Sequence, residues 1–230
     1  MAAPQNRKYS SYTTEKAKVA LEELLKNNIT PADYQVAMNS LGLLLGDVLH
    51  HKIPKLAKCL IVSTAEDADY LSRGVLDRLK PDHVTKSAVF WNNHYSLQSG
   101  VSIAPVVHKY LEPGYEDSKE LVIVKSVISG SCVVRTNLLE VIEQVKPKKI
   151  YIVSPVMHKN SENALKGEFS SKISKKFEFI YFAQDAEKDN STGEVIPGIG
   201  GEVYGKLGLS NQPVKVGFIP NLVKELTHMY

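Results

Sequence analysis

A chain of 230 residues with 43% hydrophobic content can build a sizeable core as one large domain, and 28 basic against 25 acidic residues leave a net charge of only +3. That balance argues against a nucleic-acid partner, and the local cluster Lys172, Lys175 and Lys176 reads as a solvated helix face. The only cysteines, Cys59 and Cys132, cannot make a disulfide framework or a CxxC metal site, and no run approaches the roughly 18 apolar residues of a membrane span. With no apolar stretch in the opening MAAPQNRKYSSY, the expectation is a reduced, cytoplasmic protein without a membrane partner.

Thr13 and Thr14 are placed to cap a helix running to about Asn27, with Ala17, Val19, Ala20, Leu21, Leu24 and Leu25 as its apolar stripe. Thr30-Pro31-Ala32-Asp33 opens a second helix, with a capping-box-like arrangement and Pro in the first turn, running through Leu41 to Leu49. Leu41, Leu43, Leu44, Leu45 and Val48 are more apolar surface than one helix face needs against a sheet, so some of it is expected to meet another subunit of a homo-oligomer. His50-His51 is not a metal signature, because neighbouring residues point about 100° apart on a helix.

Lys58 to Ser63 is the first strand, and Ala65 to Lys80 is a helix closed by Pro81. Thr85 to Trp91 is the next strand. From 92 to 118 the alternation is interrupted by polar, turn-rich sequence with Val101 to Leu111 extended, which predicts a hairpin or flap over the sheet edge. Trp91 and His94 stand near that flap, where an aromatic ring can stack on a base, although Trp at a strand end more often belongs to the core.

Leu121-Val122-Ile123-Val124 is a β-branched run of the kind buried on both faces of a parallel sheet. Ser129-Gly130-Ser131 then turns the chain into a helix through Asn137 to Glu143, so Ser129, Gly130, Ser131 and Cys132 sit at a helix N-terminus, where free N–H groups and the helix dipole favour a phosphate. Cys132 at such a position is also a candidate nucleophile with His158 as base, set against the commoner role of a small packing thiol.

Lys149 to Ser154 is a strand, Ser161 to Lys176 a helix and Phe177 to Ala183 a strand. A loop-rich tail follows, rich in Asp and Gly and carrying Asp185 and Asp189-Asn190, with a short helix near Asn221 to His228. At least five strands alternate with helices. The predicted fold is therefore α/β: a doubly wound parallel sheet in a single domain, with N-terminal helices over about 13–50, a core over about 58–208 and a flap over about 92–118. Ligands are expected at the carboxyl ends of the strands. No Walker-type or Gly-x-Gly-x-x-Gly motif is present, which leaves kinase and dinucleotide readings without support.

Two distant segments together resemble the uracil phosphoribosyltransferases. Val122 to Val133 matches that family's strand, phosphate loop and helix. Ala183 to Asn190 matches its Asp-containing step. Glu194-Val195-Ile196-Pro197-Gly198-Ile199-Gly200, continuing into Gly201-Glu202-Val203-Tyr204-Gly205, matches the segment that holds the base, and Pro105 to Pro113 resembles the family's Pro-Val stretch. The resemblance implies transfer of phosphoribose from PRPP to uracil, giving UMP and pyrophosphate with Mg²⁺, in a homo-oligomer. It places Asp185 beside the base as a catalytic orienter, Ile196, Gly198 and Gly200 around the base, and Ala65, Glu66 and Asp67 in the pyrophosphate loop. Against the family pattern, Lys125 stands where an acid holds the ribose hydroxyls, and the acids Glu66 and Asp67 would repel pyrophosphate unless a cation intervenes. Two functions stay open: an active transferase, and a catalytically degenerate homologue that binds a nucleotide or another anion as a regulatory or structural protein, or serves only as an assembly surface.

Overall fold

The computed structural model describes residues 7–96, 102–189 and 191–229, so the first residues of MAAPQN and Asn190 lie outside the described residues. A short strand β1, Arg7–Tyr9, leads into two helices, α1 (Glu15–Leu24) and α2 (Pro31–Lys52). Both start where the caps predict: the Thr14 hydroxyl accepts the Ala17 N–H, and Thr30 accepts the Asp33 N–H while bonding the Asp33 carboxylate at 2.6 Å.

The remaining strands of the main sheet are β2 (Lys58–Thr64), β3 (Val84–Asn92), β4 (Val106–Leu111), β5 (Glu120–Val124), β6 (Lys149–His158) and β7 (Phe177–Asp185). They lie in the order β1-β7-β6-β5-β2-β3-β4, and the two-residue strand Val127–Ile128 adds to β6. The inner neighbours are all parallel, and the two edge strands are antiparallel. Helices cover both faces. Period-two alternation divides each inner strand between two cores: Cys59, Ile61, Val122 and Val124 meet α1 and α2, while Leu60, Val62, Leu121 and Ile123 meet the helices on the other side. The predicted α/β architecture with a doubly wound sheet is the one observed.

Numbering only the parallel strands in chain order gives 2-1-3-4-5 across the sheet, so the winding reverses between β2 and β5. A crevice opens there, beyond Thr64 and Val124. Helix α3 (Arg73–Leu79) crosses α2 at a contact without side chains: a Cβ on Gly42 would fall 2.1 Å from the Leu71 carbonyl oxygen, and one on Gly74 2.4 Å from that of Asn39. The backbones touch, and only glycine fits.

Several expectations are corrected. The helix expected over Ala65 to Lys80 is three segments, Ala65–Asp67, a π-turn over Ala68–Ser72, and α3. The helix expected over Ser161 to Lys176 is two short ones, Ser161–Gly167 and Ser171–Ser174, with Phe169 between them packed onto the core. The helix that starts at Cys132 stops at Leu139 and resumes as Ile142–Val145. Of the predicted flap, Val106–Leu111 is an integral sheet edge rather than a cover. Only Tyr95–Ser96 with Ser102–Ile103 forms a small separate hairpin, and residues 97–101 lie outside the described residues. The leucines expected to meet another subunit are mostly consumed within the chain: Leu41 and Leu45 are buried, Leu44 and Val48 pack half-buried against the core, and Leu43 remains exposed.

Candidate functional site

The crevice at the winding reversal is a cleft of about 630 Å³. Its floor is Glu66, Lys125 and the turn 127–134, and its walls are Asn92, His94 and Ser102 on one side and residues 192–195, Ile199 and residues 201–204 on the other. This is where an open parallel sheet takes a ligand.

At the floor, three charges sit within one contact. Lys125 Nζ lies 2.7 Å from Asp67 Oδ2 and 3.3 Å from Glu66 Oε1, all three side chains almost fully buried. Asp67 Oδ2 also accepts the Thr64 hydroxyl at 3.0 Å and the Ser126 N–H at 3.1 Å. Lys125 is therefore a paired charge. The acids stand on the segment after β2 and the base on the segment after β5. Burial works against the Lys125 ammonium, yet Asp67 and Glu66 outweigh it and hold its pKa above the ordinary lysine range. Burial, opposed by Lys125 and reinforced by Asp67, raises the Glu66 carboxyl. Of the predicted pyrophosphate loop, Glu66 reaches the cleft, while Ala65 and Asp67 are buried behind it.

The residues expected to hold a phosphate lie together at the cleft. Ser129, Gly130, Ser131 and Cys132 all line the cleft, and Cys132 begins the helix α4 (Cys132–Leu139). The Ser131 side chain does not cap its own helix; its hydroxyl bonds Glu168 at 3.1 Å, and Glu168 also pairs with Arg135. First-turn N–H groups of α4 have no partners within the helix. A Cβ on Gly130 would meet nothing within 4 Å, so the turn presents open backbone to the cleft.

The predicted base segment is displaced. Among the described residues, the cleft is lined by Val195, Ile199, Gly201, Glu202, Val203 and Tyr204, whereas Ile196, Gly198 and Gly200 are absent from its lining. Gly198 and Gly200 turn their peptide groups inward. The Gly198 N–H donates to Asp185 Oδ2 at 2.9 Å, the Arg7 guanidinium donates to the Gly198 carbonyl at 2.5 Å, and Tyr34 donates to the Ile199 carbonyl at 3.0 Å. Both glycines have positive φ, and a Cβ would fall 2.2 Å from a backbone oxygen in each case. Asp185, expected as a catalytic orienter, has no exposed surface and is held by Arg7 through bonds of 2.8 and 2.7 Å. It anchors the cleft wall from behind and does not line the cleft.

Cys132 and His158 do not come together. The Cys132 thiol donates to the Ser102 carbonyl and is pushed up chiefly by burial, while His158 bonds the Ala186 carbonyl. Trp91 is buried and donates to the Phe218 carbonyl at 2.7 Å, which makes it a rim anchor. His94 does line the cleft, and burial, aided by Lys125, lowers its pKa.

Three cleft residues were not found from sequence. Lys188 reaches the cleft from the hairpin of Glu187–Lys188 with Val195–Ile196, and burial lowers its pKa. Tyr204 lies near the Lys125 triad, and burial, with Glu66 adding to it, raises its phenol. Asn92 bonds Asn137 at 2.8 Å across the sheet edge. Only Tyr204 had a signal, as part of the glycine-rich segment that ends at Gly205.

The carboxylates present do not fit a protein-bound Mg²⁺ at the floor. Asp67 Oδ2 already accepts three donors, and Glu66 faces the same ammonium.

No protein-family model and no curated protein matches the sequence. Solved structures do match in shape. The AQ2163 protein from Aquifex aeolicus is 14% identical, with a TM-score of 0.68 over 86% of this chain and 97% of that one. An adenine phosphoribosyltransferase from Trypanosoma brucei is 8% identical, with a TM-score of 0.49 over 80% of this chain and 87% of that one. A hypoxanthine phosphoribosyltransferase from Staphylococcus aureus is 12% identical, with a TM-score of 0.45 over 74% of this chain and 82% of that one.

Proposed function

We propose that the cleft binds a nucleoside 5′-monophosphate in the manner of a phosphoribosyltransferase. The 5-phosphate sits on the backbone of Ser129, Gly130, Ser131 and Cys132, and the base lies toward Val195, Ile199 and Tyr204. The observation that carries this reading is the unobstructed Ser129–Cys132 turn, which opens from the start of α4 into the cleft at the winding reversal. Lys188 supplies a further positive charge from the opposite wall. Stacking against Tyr204 and main-chain contacts from Gly201 would hold a flat ring. Calorimetric titration with UMP and with AMP tests the reading, and the absence of heat or thermal shift from both would sink it.

The motif order favours a second reading, in which the same site transfers phosphoribose from PRPP to uracil. Two features stand against it: Lys125 occupies the position of the acid that holds ribose, and Asp185 is committed to Arg7. Release of pyrophosphate from PRPP with uracil separates the two readings, since sustained turnover would establish the transferase and remove the purely binding one.

A further inference from the structure

We infer that the Lys125 ammonium is the resident cation of this cleft, filling the place between Glu66 and Asp67 that a divalent ion would otherwise take, so that the cleft accepts a phosphorylated ligand without a metal.

The geometry carries the inference. Lys125 comes from the end of β5 and the two acids from the segment after β2, so the sheet itself clamps the ammonium between the carboxylates. Its three N–H donors have three acceptors within reach: Asp67 at 2.7 Å, the Ser126 hydroxyl at 3.1 Å and Glu66 at 3.3 Å. On the other side, Asp67 Oδ2 takes donors from Lys125, Thr64 and Ser126, which leaves it no free lone pair for a metal. A divalent ion coordinates oxygens at roughly 2.0 to 2.6 Å, so to sit between Glu66 Oε1 and Asp67 Oδ2 it would have to displace the ammonium that stands there. Burial removes the water that would otherwise screen the competition. The anionic charge of a ligand must then be met by the α4 N-terminus and Lys188, and Lys125 is a positioning residue acting through Glu66 and Asp67.

The test exchanges the ammonium for an oxygen. Lys125→Gln shortens the side chain by one atom, removes the charge and leaves a neutral amide on the same side of the two carboxylates. Mn²⁺ binding, followed by electron paramagnetic resonance, is expected to be absent from the wild-type cleft and to appear in Lys125→Gln with affinity at least about tenfold higher. A second change, Glu66→Gln, should abolish that gain. Wild-type Mn²⁺ binding that is lost on Glu66→Gln would overturn the inference, as would a folded Lys125→Gln protein with no gain.

Should Lys125→Gln fail to fold, the wild-type protein decides, by the same Mn²⁺ measurement and by titration with ribose 5-phosphate in Mg²⁺ and in chelator. Affinities equal within roughly twofold support the inference, and a tenfold loss in chelator refutes it. The ribose 5-phosphate arm rests on the nucleotide reading of the site and the Mn²⁺ arm does not. Silence from ribose 5-phosphate in both buffers would therefore count against that reading, while the wild-type Mn²⁺ result still settles the question of the cation.

Discussion

Arg7 and Asp185, 178 residues apart in the chain, meet in a two-pronged ion pair from which solvent is excluded, and the same guanidinium holds the Gly198 carbonyl. The first strand of the protein thereby fixes the loop that walls the cleft. Asp185→Asn, which leaves the guanidinium buried and uncompensated, is expected to lower stability by about 3 to 5 kcal/mol in urea denaturation. The double replacement Arg7→Met with Asp185→Leu should recover most of that loss, because a matched apolar pair leaves no buried charge. A fully stable Asp185→Asn protein that loses only ligand binding would restore the catalytic role this residue is denied here.

The crossing of α2 and α3 leaves no volume for a methyl group. Gly42→Ala is expected to cost about 3 kcal/mol, since the new Cβ would collide with the Leu71 carbonyl and force the helices apart. Thermal unfolding measures it, and a melting temperature equal to that of the wild type would mean the helices cross at a wider spacing.

The two glycine-containing motifs should respond in opposite ways. Gly198→Ala combines a positive φ with a Cβ 2.2 Å from the Val195 carbonyl, and roughly 3 kcal/mol of stability should be lost. Gly130→Ala meets open space, so stability should move by no more than about 0.5 kcal/mol. Its methyl group would nonetheless stand where a phosphate approaches the backbone, and UMP affinity is expected to fall at least about tenfold. Denaturation curves and calorimetry on the two variants separate the structural glycine from the ligand-facing one.

Acid should weaken the fold through its buried imidazoles. His83 is buried beside His50, Asp82 and Arg78, and burial, with His50 next, lowers its pKa below the ordinary value of 6.5; His94 and His158 are lowered in the same way. Because the folded value lies below the unfolded one, the unfolded chain takes up protons first as pH falls. The contribution is complete above about pH 6.5 and is lost as pH drops from there through the lowered values. Urea midpoints measured across this range should decline, and His83→Leu should flatten the decline. An unchanged slope in that variant would remove His83 from the account.

The sheet was legible because its inner strands are buried on both faces, so Cys59 to Val62 and Leu121 to Val124 had to be apolar at every position. Thr14 and Thr30 marked helix starts because capping is a local bond. What stayed hidden was non-local. Arg7–Tyr9 has no apolar run and becomes a strand only against β7. Lys125 looked like a lost function because its partners lie 58 residues away and become neighbours only through the pairing of β2 with β5. Asp185 was assigned to the ligand because a motif records that a residue type recurs, not which way it faces.

Pairing Arg7 with a residue 178 positions later has a consequence for biosynthesis. The sheet can grow outward from β2 as the strands emerge, β3 on one flank and then β5, β6 and β7 on the other. Its outermost strand on that flank precedes the other strands of the sheet in the chain, and Arg7 must wait for Asp185. At roughly 5 to 20 residues per second, an interval of 178 residues is about 9 to 36 s of translation. By the end of that time the strands from β2 to β7 have been made, and the edge that β1 covers and the cleft wall over residues 192–204 are the last parts of the site to form.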